Sequence, residues 1–166
     1  QLAAHHIEAA KGPLDGVLIA TPANPTGTVL SGDELRAIHD ASVARSATLI
    51  VDEIYHGLAY GSPTPSILET TNNAIVISSF SKFYAMTGWR IGWLVVPEEL
   101  IKPVERLAQN LFICPPHVSQ VAAQAALDDE ADLEARKATY AANRNLVLAA
   151  LPGLGITEWA PADGAF

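Results

Sequence analysis

Lys82 stands in a short polar segment between two apolar runs. Ser79-Phe80-Ser81-Lys82, with Arg90 further on, gathers the side chains best suited to chemistry. Ser79, Ser81 and Arg90 offer two hydroxyls and a planar fork of N–H donors, a set that binds a phosphate. Lys82 offers a primary amine, which forms a covalent link to an aldehyde when it acts as a nucleophile. Two earlier apolar runs also end in polar residues, one at Asn24 and one at Asp52, with Tyr55 just beyond. A carboxylate such as Asp52 can pair with a protonated ring nitrogen. Phosphate, aldehyde and pyridinium nitrogen together describe pyridoxal 5'-phosphate, whose expected protein contacts are a lysine and an acidic partner for the ring nitrogen.

Taken singly, these residues have ordinary readings. A lysine after a strand is usually a surface lysine, and an aspartate there is usually a helix cap. The lesser, rival readings are an ion-pair partner for Arg90, a Pro-Thr-Gly turn residue for Asn24 and packing for Tyr55. Ser81 is divided between a phosphate contact and a local cap. The weight lies in their combination, and the combination depends on the elements that carry them.

Gly16-Val17-Leu18-Ile19-Ala20 and Thr48-Leu49-Ile50-Val51 are short, β-branched apolar runs and read as buried strands. Between them Ser31-Gly32-Asp33-Glu34 forms a capping box that starts a helix running to about Arg45. Strand, helix, strand predicts a parallel βαβ unit. Ile75-Val76-Ile77 and Ile91 to Val96 are two further strands. Only about a dozen residues lie between them, the lower limit of a parallel crossover, which usually also carries a helix, so this pair is expected to be antiparallel. Ligands of open α/β sheets bind beyond the carboxyl ends of the strands. Asn24, Asp52, Tyr55, Ser79, Ser81, Lys82 and Arg90 are thereby expected at one edge of the sheet.

The rest of the chain reads as support. Gln1 to Ala10 looks like the end of a helix, and Glu53 to Asn73 is a long connection containing Pro63 and Pro65. Helices are expected from Pro97 to about Asn110, with a kink or restart at Pro103, from His117 to Leu127, and from about Ala131 to Leu151. Ile156-Thr157-Glu158-Trp159 is a candidate strand of another layer or domain. The histidines lack ligand spacing, so no metal site is expected.

The chain has 166 residues, 49% of them hydrophobic, enough for a folded core. Cys114 is the only cysteine, which excludes an internal disulfide and suits the cytoplasm. The net charge of -8 argues against nucleic acid as the main partner, and no apolar run approaches the roughly 18 residues of a membrane span.

Asn24-Pro25-Thr26-Gly27, Asp52-Glu53-Ile54-Tyr55, and Ser79-Phe80-Ser81-Lys82 followed by Ala85-Met86-Thr87-Gly88-Trp89-Arg90 occur in order, each at a strand end. Together they resemble the class I/II aminotransferases, fold-type I pyridoxal-phosphate enzymes, and within them the aspartate and aromatic branch. The resemblance implies an α/β fold, a three-layer sandwich with a mostly parallel sheet plus one antiparallel strand. It implies that Lys82 holds the cofactor as an internal aldimine and then moves the proton between the substrate and the cofactor. Asp52 would keep the pyridine nitrogen protonated, Tyr55 and Asn24 would bond its 3'-oxygen, and Ser79, Arg90 and Ser81 its phosphate. The substrates implied are an amino acid and a 2-oxo acid, handled by a homodimer.

Family members are longer. They supply a glycine-containing phosphate loop and a stacking aromatic from the N-terminal side, and a carboxylate-binding arginine from a small C-terminal domain. Neither Arg136 nor Arg144 is a credible substitute for that arginine. The resemblance therefore implies an incomplete cofactor domain over residues 1–151 and the start of the small domain over 152–166, with weak or no turnover by this chain alone. A carbon–sulfur lyase of the same fold and a non-catalytic regulatory domain are the rival readings.

Overall fold

The computed structural model describes residues 2–61, 64–160 and 162–165, so the expectations that touch Gln1, Pro63 and Phe166 lie outside the described residues. Among the described residues, four strands form one sheet in the order β1-β2-β3-β4: β1 is Gly16–Ala20, β2 Thr48–Asp52, β3 Ile75–Ser79 and β4 Gly92–Val95. The first three are parallel and β4 runs antiparallel to β3, the directions expected from the sequence.

Helix α1 is Ala4–Ala9 and α2 is Gly32–Ala44. The capping box that starts α2 is formed: Ser31 Oγ accepts from Glu34 N at 3.3 Å, and Glu34 Oε2 accepts from Ser31 N at 2.8 Å. That backbone bond holds the Glu34 carboxyl below its usual range. The buried face of α2, with Leu35 and Ile38, packs on Val17, Ile19, Leu49, Val51 and Val76 of the sheet and on Ile7 of α1. Each such side chain contributes about 1.5–3 kcal/mol on burial. Alternation along β1 turns Leu18 to the other face, where it is exposed.

Helix α3 is Glu98–Leu111, α4 is His117–Leu127 and α5 is Glu130–Ala150. Pro103 lies inside α3 but neither divides nor restarts it. A proline forfeits one amide donor, and here the turns on either side carry the helix past it. Residues Ile156–Trp159 form no strand; the chain instead pairs further on, where Gly164 bridges Ala59. The long connection after β2 contains a 3-10 turn, Ile67–Glu69, capped by Ser66. Among the described residues no helix is long and apolar enough to cross a membrane.

Candidate active site

The carboxyl ends of β1, β2 and β3 come together because their register aligns them. Ala20 lies beside Asp52, and Asp52 beside Ile77. The loops that leave these strands therefore share one edge of the sheet. After β1, a tight loop closes through Gly27 N to Ala23 O at 2.7 Å and Ala23 N to Thr28 O at 2.9 Å, and Asn24 rides on it. After β2, the chain turns through Ile54 and Tyr55, with His56 N donating to Glu53 O and Leu58 N to Tyr55 O, both at 2.9 Å. Asp52 Oδ1 accepts from Ile54 N at 3.0 Å, so its carboxylate also shapes this turn.

The two loops meet. Asn24 Nδ2 donates to the Tyr55 hydroxyl at 2.9 Å, across 31 residues of sequence. Tyr55 is buried, and Lys82 Nζ lies 5.3 Å from its ring centroid. A cation over an aromatic face is favourable by about 0.5–2 kcal/mol, which holds the amine over this wall of the site.

The Lys82 loop hangs between two apolar anchors. Phe80 and Met86 are buried against Ala123 of α4. Between them Ala85 N donates to Lys82 O at 2.9 Å and Thr87 Oγ1 donates to Ser81 O at 2.7 Å. Ala85 and Arg90 take left-handed backbone conformations, with φ of 54° and 51°. For residues with a Cβ this costs about 1–2 kcal/mol each, and such strain gathers at functional loops. Phe83, next to Lys82, packs on Gly57, where a Cβ would fall 2.5 Å from its ring. The Lys82 loop and the Tyr55 turn are thus in direct contact.

At the far end of β3, Ser79 Oγ and Ser81 Oγ are 2.9 Å apart, and Ser79 Oγ also accepts from Ser81 N at 3.0 Å. Arg90 lies two residues before β4, its Nη1 donating to Thr87 O at 2.8 Å while its side chain is exposed. Asn24, Tyr55 and Lys82 form one contact group and Ser79 and Ser81 another. Asp52 shares the edge through strand register, and Arg90 precedes β4, whose first residue Gly92 pairs with Ser79.

A second carboxylate belongs to this region, one that the sequence does not single out. Glu53 is 4% exposed. Its oxygens accept from Ser66 Oγ at 2.9 and 3.1 Å and from Ile67 N at 2.9 Å, and His56 Nδ1 lies 3.5 Å away. Burial pushes the His56 imidazole below its ordinary range, opposed by the nearby Glu53 and Glu69 charges and a backbone bond at Thr21. The one signal in the sequence is the acidic pair Asp52-Glu53 at a strand end; Ser66, thirteen residues on, carries none.

Arg144, discounted from sequence as a substrate ligand, is committed structurally. Its Nε donates to Ala162 O and its Nη2 lies 3.4 Å from Asp163 Oδ1. Among the described residues no group of three His, Cys, Asp or Glu side chains is arranged to hold a metal ion.

The donor set fits pyridoxal phosphate. It offers an amine over an aromatic wall, a paired amide and hydroxyl, a carboxylate one strand over, and two hydroxyls in contact with each other. Residues 1–166 match the family model of aminotransferase class I and II, and the chain belongs to that family. A valine–pyruvate aminotransferase of Mycobacterium tuberculosis is 52% identical over 158 residues, 93% of this chain and 41% of its own. An aspartate aminotransferase of Sulfolobus acidocaldarius is 31% identical, covering 90% of this chain and 38% of its own. Among solved structures, an aminotransferase from Mycobacterium tuberculosis superposes with a TM-score of 0.96 at 49% identity, over 100% of this chain and 44% of that one. The chain therefore spans about two fifths of the length of the curated relatives it matches.

Proposed function

We propose that the whole protein carries out pyridoxal-phosphate-dependent transamination between an amino acid and a 2-oxo acid, with Lys82 as the covalent anchor of the cofactor. The observation that carries this is the Asn24–Tyr55–Lys82 group: a 2.9 Å amide–hydroxyl bond with the amine 5.3 Å from the phenol ring. The cofactor, when bound, supplies an electron sink that stabilises charge developing at the substrate α-carbon.

The chain's own residues do the rest. With the cofactor bound, Lys82 Nζ would take the proton from the substrate α-carbon and hand it back to the cofactor side of the same bond system. Asp52 would be the carboxylate partner of the ring nitrogen and would favour its protonated form. Asn24 Nδ2 and Tyr55 Oη donate to the 3'-oxygen. Ser79 Oγ, Ser81 Oγ and the Arg90 guanidinium bind the phosphate and fix the ring's position. One amino acid leaves as its 2-oxo acid, and a second 2-oxo acid leaves as its amino acid, in two half-reactions.

Residues 1–151 then belong to the cofactor domain and 152–166 to the start of a second, a boundary drawn where α5 gives way to the 3-10 turn Leu151–Leu154. The single Cys114 suits a cytoplasmic enzyme, and the family resemblance supports a homodimer.

For substrates, the 52% identity to a valine–pyruvate enzyme, against 31% to an aspartate enzyme, favours an aliphatic amino acid with pyruvate. A panel of amino donors with pyruvate, followed by alanine formation in the whole protein, tests this. Valine is expected among the best donors. Alanine formation from aspartate alone would contradict the substrate choice, and none from any donor would contradict transamination.

A further inference from the structure

The segment 162–165 runs behind the Asn24–Tyr55 pair and bonds to both loops that carry it. On the Asn24 side, Asp163 N and Gly164 N both donate to Gly27 O at 2.9 Å. On the Tyr55 side, Tyr60 N donates to Asp163 O and Ala165 N to Leu58 O, both at 2.8 Å. Tyr60 Oη donates to Ala165 O at 2.7 Å. Ala165 is buried in one apolar cluster with Tyr55 and Leu58, against which Phe83 of the Lys82 loop also packs. Arg144 holds the outer end through Ala162 O.

The contact is close enough to require glycine. A Cβ on Gly164 would lie 2.5 Å from Pro22 Cβ, 2.8 Å from Pro22 Cγ and 3.0 Å from Val29 Cγ2. Pro22 is fully buried and cannot step aside. Pro22 and Gly27 bracket Asn24, so pressure at Gly164 falls on the loop that aims its amide.

We infer that Gly164 is a positioning residue: the strip it occupies sets the Asn24–Tyr55 geometry, and through it the environment of the cofactor's 3'-oxygen. The inference rests on the cofactor reading above. The physical consequence is specific. The 3'-oxygen carries its fullest negative charge when the nitrogen joining Lys82 to the cofactor has lost its proton. Donors at that oxygen favour the deprotonated form, and loosening them raises the pH at which it forms.

The test is a pH titration of the visible cofactor band in the whole protein, with no substrate. Gly164→Ala is expected to move the midpoint upward by about one pH unit. Tyr60→Phe, which removes only the bond to Ala165 O, is expected to move it less in the same direction. Neither change alters formal charge, so a shift reports geometry. If Gly164→Ala does not fold, Tyr60→Phe decides. A midpoint equal to wild type in the folded variants, even with a lowered melting temperature, overturns the inference and leaves the strip a packing element. A wild-type protein with no visible band when given pyridoxal phosphate overturns the cofactor reading itself.

Discussion

Tyr55 carries two contacts at once. Its hydroxyl accepts from Asn24 Nδ2, and its ring faces Lys82 Nζ. Removing the hydroxyl leaves the ring and the fold in place and, on the proposed role of Tyr55, takes one donor from the 3'-oxygen. A hydrogen bond to a charged acceptor is worth about 1.5–3 kcal/mol. Tyr55→Phe is therefore expected to weaken cofactor affinity about ten- to hundredfold without loss of the folded state; fluorescence titration with pyridoxal phosphate measures it. An affinity equal to wild type would remove Tyr55 from the cofactor site. At this scale the sequence is informative because motif order supplies what distance does not. Asn24 and Tyr55 are 31 residues apart, yet each follows a strand, and parallel strands bring their carboxyl ends together. Glu53 is not legible in the same way, because its partners, Ser66 and Ile67, lie in an irregular loop with no periodicity to place them.

The loop after β2 is held to the site by that carboxylate. Buried Glu53 accepts from Ser66 Oγ through both its oxygens and from Ile67 N, and its own amide donates to Ile77 O at 2.9 Å. Glu53→Ala strands those donors, and at about 1–3 kcal/mol for each group left unsatisfied a loss near 3 kcal/mol is expected in chemical denaturation. A loss under about 0.5 kcal/mol, the level of an ordinary surface change, would show that the loop is held by other contacts. His56 gives the same element a pH signature. Its folded-state affinity for protons is depressed by burial, so the unfolded chain binds a proton first as the pH falls. Stability is full above the ordinary imidazole value of about 6.5 and falls as the pH drops through and below it. Denaturation midpoints measured across that window in wild type and His56→Gln check this: the wild-type slope should flatten in the variant. Regular elements are the legible part of the fold. Apolar runs mark β1 to β4, and Ser31 with Glu34 marks the start of α2. Pro103 does not restart α3, because the turns on either side continue the helix past one missing amide donor, and Ile156–Trp159 misleads because an apolar stretch is no strand without a partner to pair with.

At the scale of the molecule, three loops and one returning strip converge on a single edge of the sheet. Tyr55, Leu58 and Ala165 form a small core with Ile54 and Phe83, separate from the larger core under α2. The site thus rests on its own packing, and its parts come from positions as distant as Asn24 and Ala165. The contact of residues 162–165 with the Asn24 loop is not legible in the sequence, since it depends on the full path of the chain through α5. The central claim is that this convergence places Lys82 as the cofactor's covalent anchor. Borohydride reduction of the whole protein loaded with pyridoxal phosphate, followed by peptide mass mapping, tests it most directly. The expected result is a pyridoxyl adduct on Lys82 that disappears in Lys82→Ala. An adduct on another lysine, persisting in that variant, would contradict it.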